Sequence, residues 1–110
     1  MARTLAGTHI VVVGATGVLG ARIAAHFATA GARVSAIVRD HTRLDGSSVS
    51  QYALADVTDH AALSTAFASV APFDGVVNAT GVVAFGNVSD LDDATLAELF
   101  AVNAIAPIVM

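Results

Sequence analysis

The amino-acid sequence predicts an α/β fold of three layers, a parallel sheet of about four strands with helices on both faces. Three observations lead there. Short β-branched runs bounded by glycine or aspartate alternate with longer alanine-rich stretches of helical period. The strand runs are apolar almost without interruption, as strands covered on both faces are. Helical crossovers link them, and right-handed crossovers favour the spatial order 3-2-1-4.

The elements follow in turn. His9–Val13 is the first strand. A glycine-rich loop then opens a helix over residues 18–30, in which Leu19, Ile23 and Phe27 recur at four-residue spacing as one apolar face. Gly31 is a natural terminator for it. Arg33–Val38 is the second strand, and residues 40–48 are polar, with a short helical turn at most. A third strand covers residues 49–55 and stops at Asp56. Thr58 or Asp59 caps a helix over residues 59–71 whose Leu63, Phe67 and Val70 face inward, and Pro72 ends it. Residues 75–79 are the fourth strand and 80–90 a loop. The last helix starts between Asp92 and Thr95, carries Leu96, Leu99, Phe100 and Val102, and runs on to Pro107 or kinks there.

Composition narrows the function. The 110 residues make one domain's worth of chain, with 55% hydrophobic and 13% charged residues, which excludes disorder. With no cysteine, disulfides, thiolate metal sites and a cysteine nucleophile are excluded. The basic residues are five scattered arginines (Arg3, Arg22, Arg33, Arg39 and Arg43) and the net charge is −4, so no nucleic-acid partner is expected. No apolar run is long enough for a signal peptide or a membrane span, so a cytoplasmic protein away from membranes is the expectation. His9, His26, His41 and His60 lie 15 to 19 residues apart, without metal-ligand spacing, and are read as surface or strand-edge residues. Asp90, Asp92 and Asp93 suit the positive end of the last helix better than a metal, and no metal is expected.

The strongest local signal is Gly14-Ala15-Thr16-Gly17-Val18-Leu19-Gly20, directly after a strand and opening a helix. Glycines there allow a tight turn, a close approach by a pyrophosphate and close packing of helix on strand. The helix start offers unpaired N–H groups to the phosphates. This context marks a dinucleotide site of Rossmann type, with Gly14, Thr16, Gly17, Val18, Leu19 and Gly20 as its loop. The place at the end of the second strand, where an acid would hold the ribose hydroxyls of NAD, is Val38. Arg39 follows and suits a 2′-phosphate, with Arg43 in the next turn as support, so NADP is expected ahead of NAD. Asp40 works against that preference, and the competing reading of Arg39 is a solvated arginine beside Asp40.

With these motifs in order, the chain resembles the amino-terminal half of the short-chain dehydrogenases/reductases over almost its whole length. The matching features are the glycine loop, Arg39, Asp56-Val57-Thr58-Asp59, Asn78-Ala79-Thr80-Gly81 and Asn103. The resemblance implies that Asp56 and Val57 contact adenine, with Asp56 accepting from its amino group. It implies that Asn78, Ala79 and Gly81 steady the sheet and line the cofactor's ribose, and that Asn103 belongs to a catalytic tetrad and orders a water. Read as plain residues, Asp56 is a polar strand end, Asn78 a turn residue and Asn103 a surface asparagine. The Gly-x-x-Gly-x-x-Gly spacing is more usual in the extended and atypical branches of the family, whereas Asn-Ala-Thr-Gly and Asn103 resemble the typical one.

The family's serine and Tyr-x-x-x-Lys fall beyond residue 110, and this chain has one tyrosine, Tyr52, and no lysine. The resemblance therefore implies an NADP-dependent oxidoreductase acting on a small carbonyl or alcohol, truncated here and inactive as it stands. The other readings are a non-catalytic NADP-binding redox sensor and a structural half-Rossmann unit. Further strands would cover the fourth strand in the full fold, but here it becomes an exposed apolar edge, so the isolated chain is expected to self-associate as a homo-oligomer.

Overall fold

A computed structural model describes residues 4–110; Arg3, counted above among the scattered arginines, lies outside them. The chain runs β1 (His9–Val13), α1 (Val18–Thr29), β2 (Arg33–Val38), a 3₁₀ turn (His41–Arg43), β3 (Gln51–Leu54), α2 (His60–Val70) and β4 (Gly75–Asn78). A second 3₁₀ turn (Val88–Asp90), α3 (Asp93–Phe100), a π-helical turn (Ala101–Ile105) and α4 (Ala106–Val109) complete it. All strand pairings are parallel and the sheet order is β3-β2-β1-β4, as the crossover rule requires.

Alternation along the two central strands builds a core on each face. Val11 and Val13 of β1 join Ile37 of β2, Leu63, Ala66 and Val70 of α2, and Ala106 of α4. Ile10 and Val12 point the other way, with Val34, Ala36 and Val38 of β2 and Ala24 of α1. Leu63 and Val70 are buried as expected, and Phe67 packs at the rim of the first core.

Four expectations need correction. Leu19 does not share the sheet-facing side of α1; it is 65% exposed, while Gly20 and Ala24 are buried. The helix sits so close to the loop below it that only small residues fit the contact row, and the larger Ile23 and Phe27 pack at its margin. His9 is not a surface or strand-edge residue: β1 is a central strand, and the ring is buried between β2 and the end of α2. Its Nε2 lies 2.6 Å from Ser35 Oγ, and its Nδ1 lies 2.6 Å from the Pro72 carbonyl and 2.9 Å from the Arg33 guanidinium. The last helix departs from regular geometry at Ala101–Ile105, ahead of Pro107 rather than at it. Pro107 has no N–H to give the Asn103 carbonyl, and its ring crowds that carbonyl, so the turn before it widens.

The third strand is shorter than expected at its start, because the Val49 N–H turns back to the Asp45 carbonyl at 3.1 Å. Among the described residues no helix is long and apolar enough to cross a membrane.

Candidate functional site

A cleft of about 620 Å³ opens at the carboxyl ends of the strands. Its floor is the crevice beside β1, where the sheet order reverses and open α/β sheets bind ligands. The β1–α1 loop contributes Gly14, Thr16 and Gly17; the end of β2 contributes Ile37 to Asp40; and Arg43 reaches in from the 3₁₀ turn. Ala55 to Thr58 follow β3, Ala79 to Val82 follow β4, and Glu98 and Val102 come from the last helix.

The three glycines of the loop differ in what they need. Gly14 has φ 85°, and a Cβ there would meet Thr80 Cγ2 at 2.9 Å and the Ala79 carbonyl carbon at 3.0 Å. A Cβ on Gly20 would collide with the Gly14 carbonyl, which is why α1 can lie so close to β1. Gly17 is different. The nearest protein atom to a Cβ there is 3.5 Å away, so the protein's own packing does not demand glycine. Gly17 is the N-cap of α1 with no side-chain cap, and the helix has no acid in its first turn. The leading N–H groups of α1 therefore face the cleft mouth unsatisfied, where an anion gains both their hydrogen bonds and the helix dipole.

Across the cleft the polar groups are already organised. Asp56 Oδ1 accepts from the Thr58 N–H at 2.9 Å and from its hydroxyl at 2.7 Å. Those bonds, helped by the charge of Arg39, hold the Asp56 carboxyl below its ordinary value. Asp40 Oδ1 accepts from the Thr42 N–H at 2.9 Å and caps the 3₁₀ turn, and these Thr42 bonds lower its pKa, with smaller help from His41 and Arg43. Asn78 Oδ1 accepts from the Thr80 N–H and hydroxyl at 3.0 and 2.6 Å, which folds the chain after β4 into a tight turn.

Asn103, in the π-helical turn, clamps Val82 from both sides. Its Oδ1 accepts from the Val82 N–H at 3.0 Å and its Nδ2 donates to the Val82 carbonyl at 2.7 Å. The side chain is thereby used in joining the last helix to the β4 loop. Asp92 caps α3 by accepting from the Thr95 N–H at 2.7 Å, in keeping with a helix-start role for that acidic cluster.

Of the residues singled out in the sequence, Gly14, Thr16, Gly17, Arg39, Asp56, Val57, Ala79 and Gly81 come together on the cleft wall, and Arg43 joins them. Val18 and Leu19 project into solvent beside it, and Gly20 is buried beneath the loop. Asn78 and Asn103 shape the wall from behind. Thr58, Thr80, Val82, Glu98 and Val102 line the cleft without having been expected. The i, i+4 spacing of Glu98 and Val102 puts them on one face of the last helix, which is the signal that could have found them.

A family model described as short chain dehydrogenase matches residues 8–110. This chain belongs to that family. Among its short-chain dehydrogenase relatives, galactitol 2-dehydrogenase (L-tagatose-forming) of Cereibacter sphaeroides is 36% identical over 108 residues, taking in 90% of this chain and 42% of that enzyme. A dehydrogenase/reductase from Sinorhizobium meliloti superposes with a TM-score of 0.84 at 27% identity, covering 96% of this chain and 47% of the other. A 3-oxoacyl-(acyl-carrier-protein) reductase from Agrobacterium tumefaciens, solved with NADP bound, shares the fold with a TM-score of 0.84 at 24% identity, over 97% of this chain and 46% of that one. The chain thus spans less than half the length of each of these relatives.

Proposed function

We propose that this chain is the NADP-binding portion of a short-chain oxidoreductase that acts on a carbonyl or alcohol. The observation that carries the cofactor preference is that Arg39 and Arg43 both line the cleft that Asp56 and Val57 also line. Two guanidinium groups suit a 2′-phosphate, and Val38 offers no acceptor for a free 2′-hydroxyl. Asp40 would oppose the phosphate, yet one of its oxygens is committed to capping its own turn.

The remaining residues fit the rest of the molecule. The N–H groups at the start of α1 would hold the pyrophosphate, and the space beside Gly17 leaves room for it. Asp56, with Oδ1 engaged by Thr58, keeps Oδ2 for the adenine amino group. Ala79 and Gly81, held in place by the Asn78 turn, would border the second ribose. When bound, the nicotinamide supplies hydride to a carbonyl or takes it from an alcohol.

Asn103 would serve the proton relay through its main chain. Its amide is spent on Val82, whereas its carbonyl lacks an α-helical donor at Pro107 and can order a water. The tyrosine-lysine pair of the family is not among these 110 residues: there is no lysine, and Tyr52 is stacked on His41. The 110-residue chain should therefore bind nucleotide without turning substrate over.

Titrating the chain with NADPH and NADH by nicotinamide fluorescence, with and without Arg39→Ala, tests the reading. NADPH should bind more tightly, by about ten- to a hundredfold for a charge-assisted contact, and the mutant should fall toward the NADH value. Equal affinity of the unaltered chain for both nucleotides would overturn the NADP preference.

A further inference from the structure

Tyr52 is the chain's one tyrosine, and its ring serves neither core. It stands on β3, the edge strand, 47% exposed. The His41 ring lies over it with centroids 5.0 Å apart and planes within 8° of parallel. Offset or parallel stacking of this kind is worth about two- to tenfold in an equilibrium beyond simple burial.

The stack has a consequence for Arg43. His41 opens the 3₁₀ turn that Arg43 closes; His41 stacks on Tyr52 of the edge strand, and Arg43 lines the cleft. A three-residue 3₁₀ turn does not hold itself, because it has too few backbone bonds to offset its ordering entropy. Its outside supports are the Asp40 cap on Thr42, the partly buried Leu44 behind it, and the His41–Tyr52 stack. Arg39 needs no such help, since it follows directly on β2.

Building on the NADP reading above, we infer that Tyr52, through His41, is a positioning residue for Arg43 and so a determinant of preference for the 2′-phosphate. A flexible arginine on an unanchored turn must be ordered when the phosphate binds, and that cost lowers affinity. Anchoring the turn beforehand removes part of it. NADH has no 2′-phosphate, makes no demand on Arg43 and is indifferent to the stack.

The test is the ratio of NADPH to NADH affinity, measured on the 110-residue chain and on Tyr52→Ala, Tyr52→Phe, His41→Ala and Arg43→Ala. Tyr52→Ala and His41→Ala should each weaken NADPH by about two- to tenfold and leave NADH unchanged. Tyr52→Phe should restore the ratio, because the stack uses the ring and not the hydroxyl. A chain carrying both Tyr52→Ala and His41→Ala should be no worse than either single variant, as expected of partners in a single interaction. A Tyr52→Ala chain that keeps the original ratio, or loses both nucleotides equally, overturns the inference. A ratio near one in the unaltered chain, or one untouched by Arg43→Ala, instead overturns the NADP reading and the inference with it.

Discussion

The two flanks of β1 differ sharply. On one side β2 buries five of its six residues between α1 and α2, and the packing is so close that Gly20 cannot be replaced without a collision. On the other side β4 alternates half-buried with exposed, and α3 buries no residue at all. Val76 on β4 and Phe100, Ile105 and Ile108 on the last helix are apolar and exposed. The same alternating strands and helices thus enclose β2 in a core on both faces and leave β4, like the other edge strand β3, partly uncovered. Stability resides in the first flank. The cleft draws its loop and arginines from it and borrows Ala79 to Val82, Glu98 and Val102 from the second.

The largest expected effect separates the two flanks directly. Leu63→Ala should cost about 2–5 kcal/mol, because it opens a cavity in the first core. Ile108→Ala should change stability by no more than about 0.5 kcal/mol. Urea denaturation monitored by circular dichroism checks both, and equal losses would erase the contrast. Next comes Gly20→Ala, which should cost about 1–3 kcal/mol by overpacking against Gly14. Gly17→Ala, by contrast, should lower stability less than Gly20→Ala, by the loss of a glycine N-cap alone, while weakening NADPH if the space it fills is the ligand's, as proposed above.

The open flank makes its own prediction. Dilution-series sedimentation of the 110-residue chain should show reversible self-association, through the β4 edge or the last helix, because an unpaired apolar strand is a ready template. A monomer at every concentration would mean that this surface is better solvated than its composition implies. The smallest effect concerns acid. The Asp56 carboxyl is held below its ordinary value of 3.8 by the Thr58 bonds, and then by Arg39, so the folded state binds the proton less readily than the unfolded one. Its stabilising contribution is complete above 3.8 and is lost as the pH falls through the lowered value. Asp56→Asn should flatten the acid limb of a stability-against-pH curve in that range, lowering stability at neutral pH, where the carboxylate contributes, and leaving the acid end unchanged.

Much of this was legible in the sequence because it depends on local pattern. Continuous β-branched runs with helical crossovers gave the strand order, and a glycine loop between strand and helix gave the mouth of the cleft. Residues 33–38 needed no tertiary information to be read as a buried strand. Other features depend on contacts distant in the chain. The place of His9 on a central strand points to its burial, but its partners Ser35, Arg33 and Pro72 lie 24 to 63 residues away and no local pattern names them. The outward turn of Leu19 follows from the Gly20–Gly14 contact, which fixes the rotation of α1 in a way that hydrophobic spacing does not record. Glu98 and Val102 reach the cleft on a helix that Asn103 ties to Val82 and that Ala106 anchors in the first core. The Asn103 clamp itself spans 21 residues and relies on a π-helical turn for which Pro107 was the only visible sign.

The most direct measurement is a titration of the isotopically labelled 110-residue chain with NADPH, following its amide NMR signals. Saturable shifts at Gly14, Thr16, Gly17, Asp56, Val57 and Gly81, with none at Ser35 or Val70 near the opposite end of the sheet, are the predicted result. Unshifted signals at millimolar NADPH, or shifts centred on the exposed face of the last helix, would contradict a nucleotide site at the carboxyl ends of the strands.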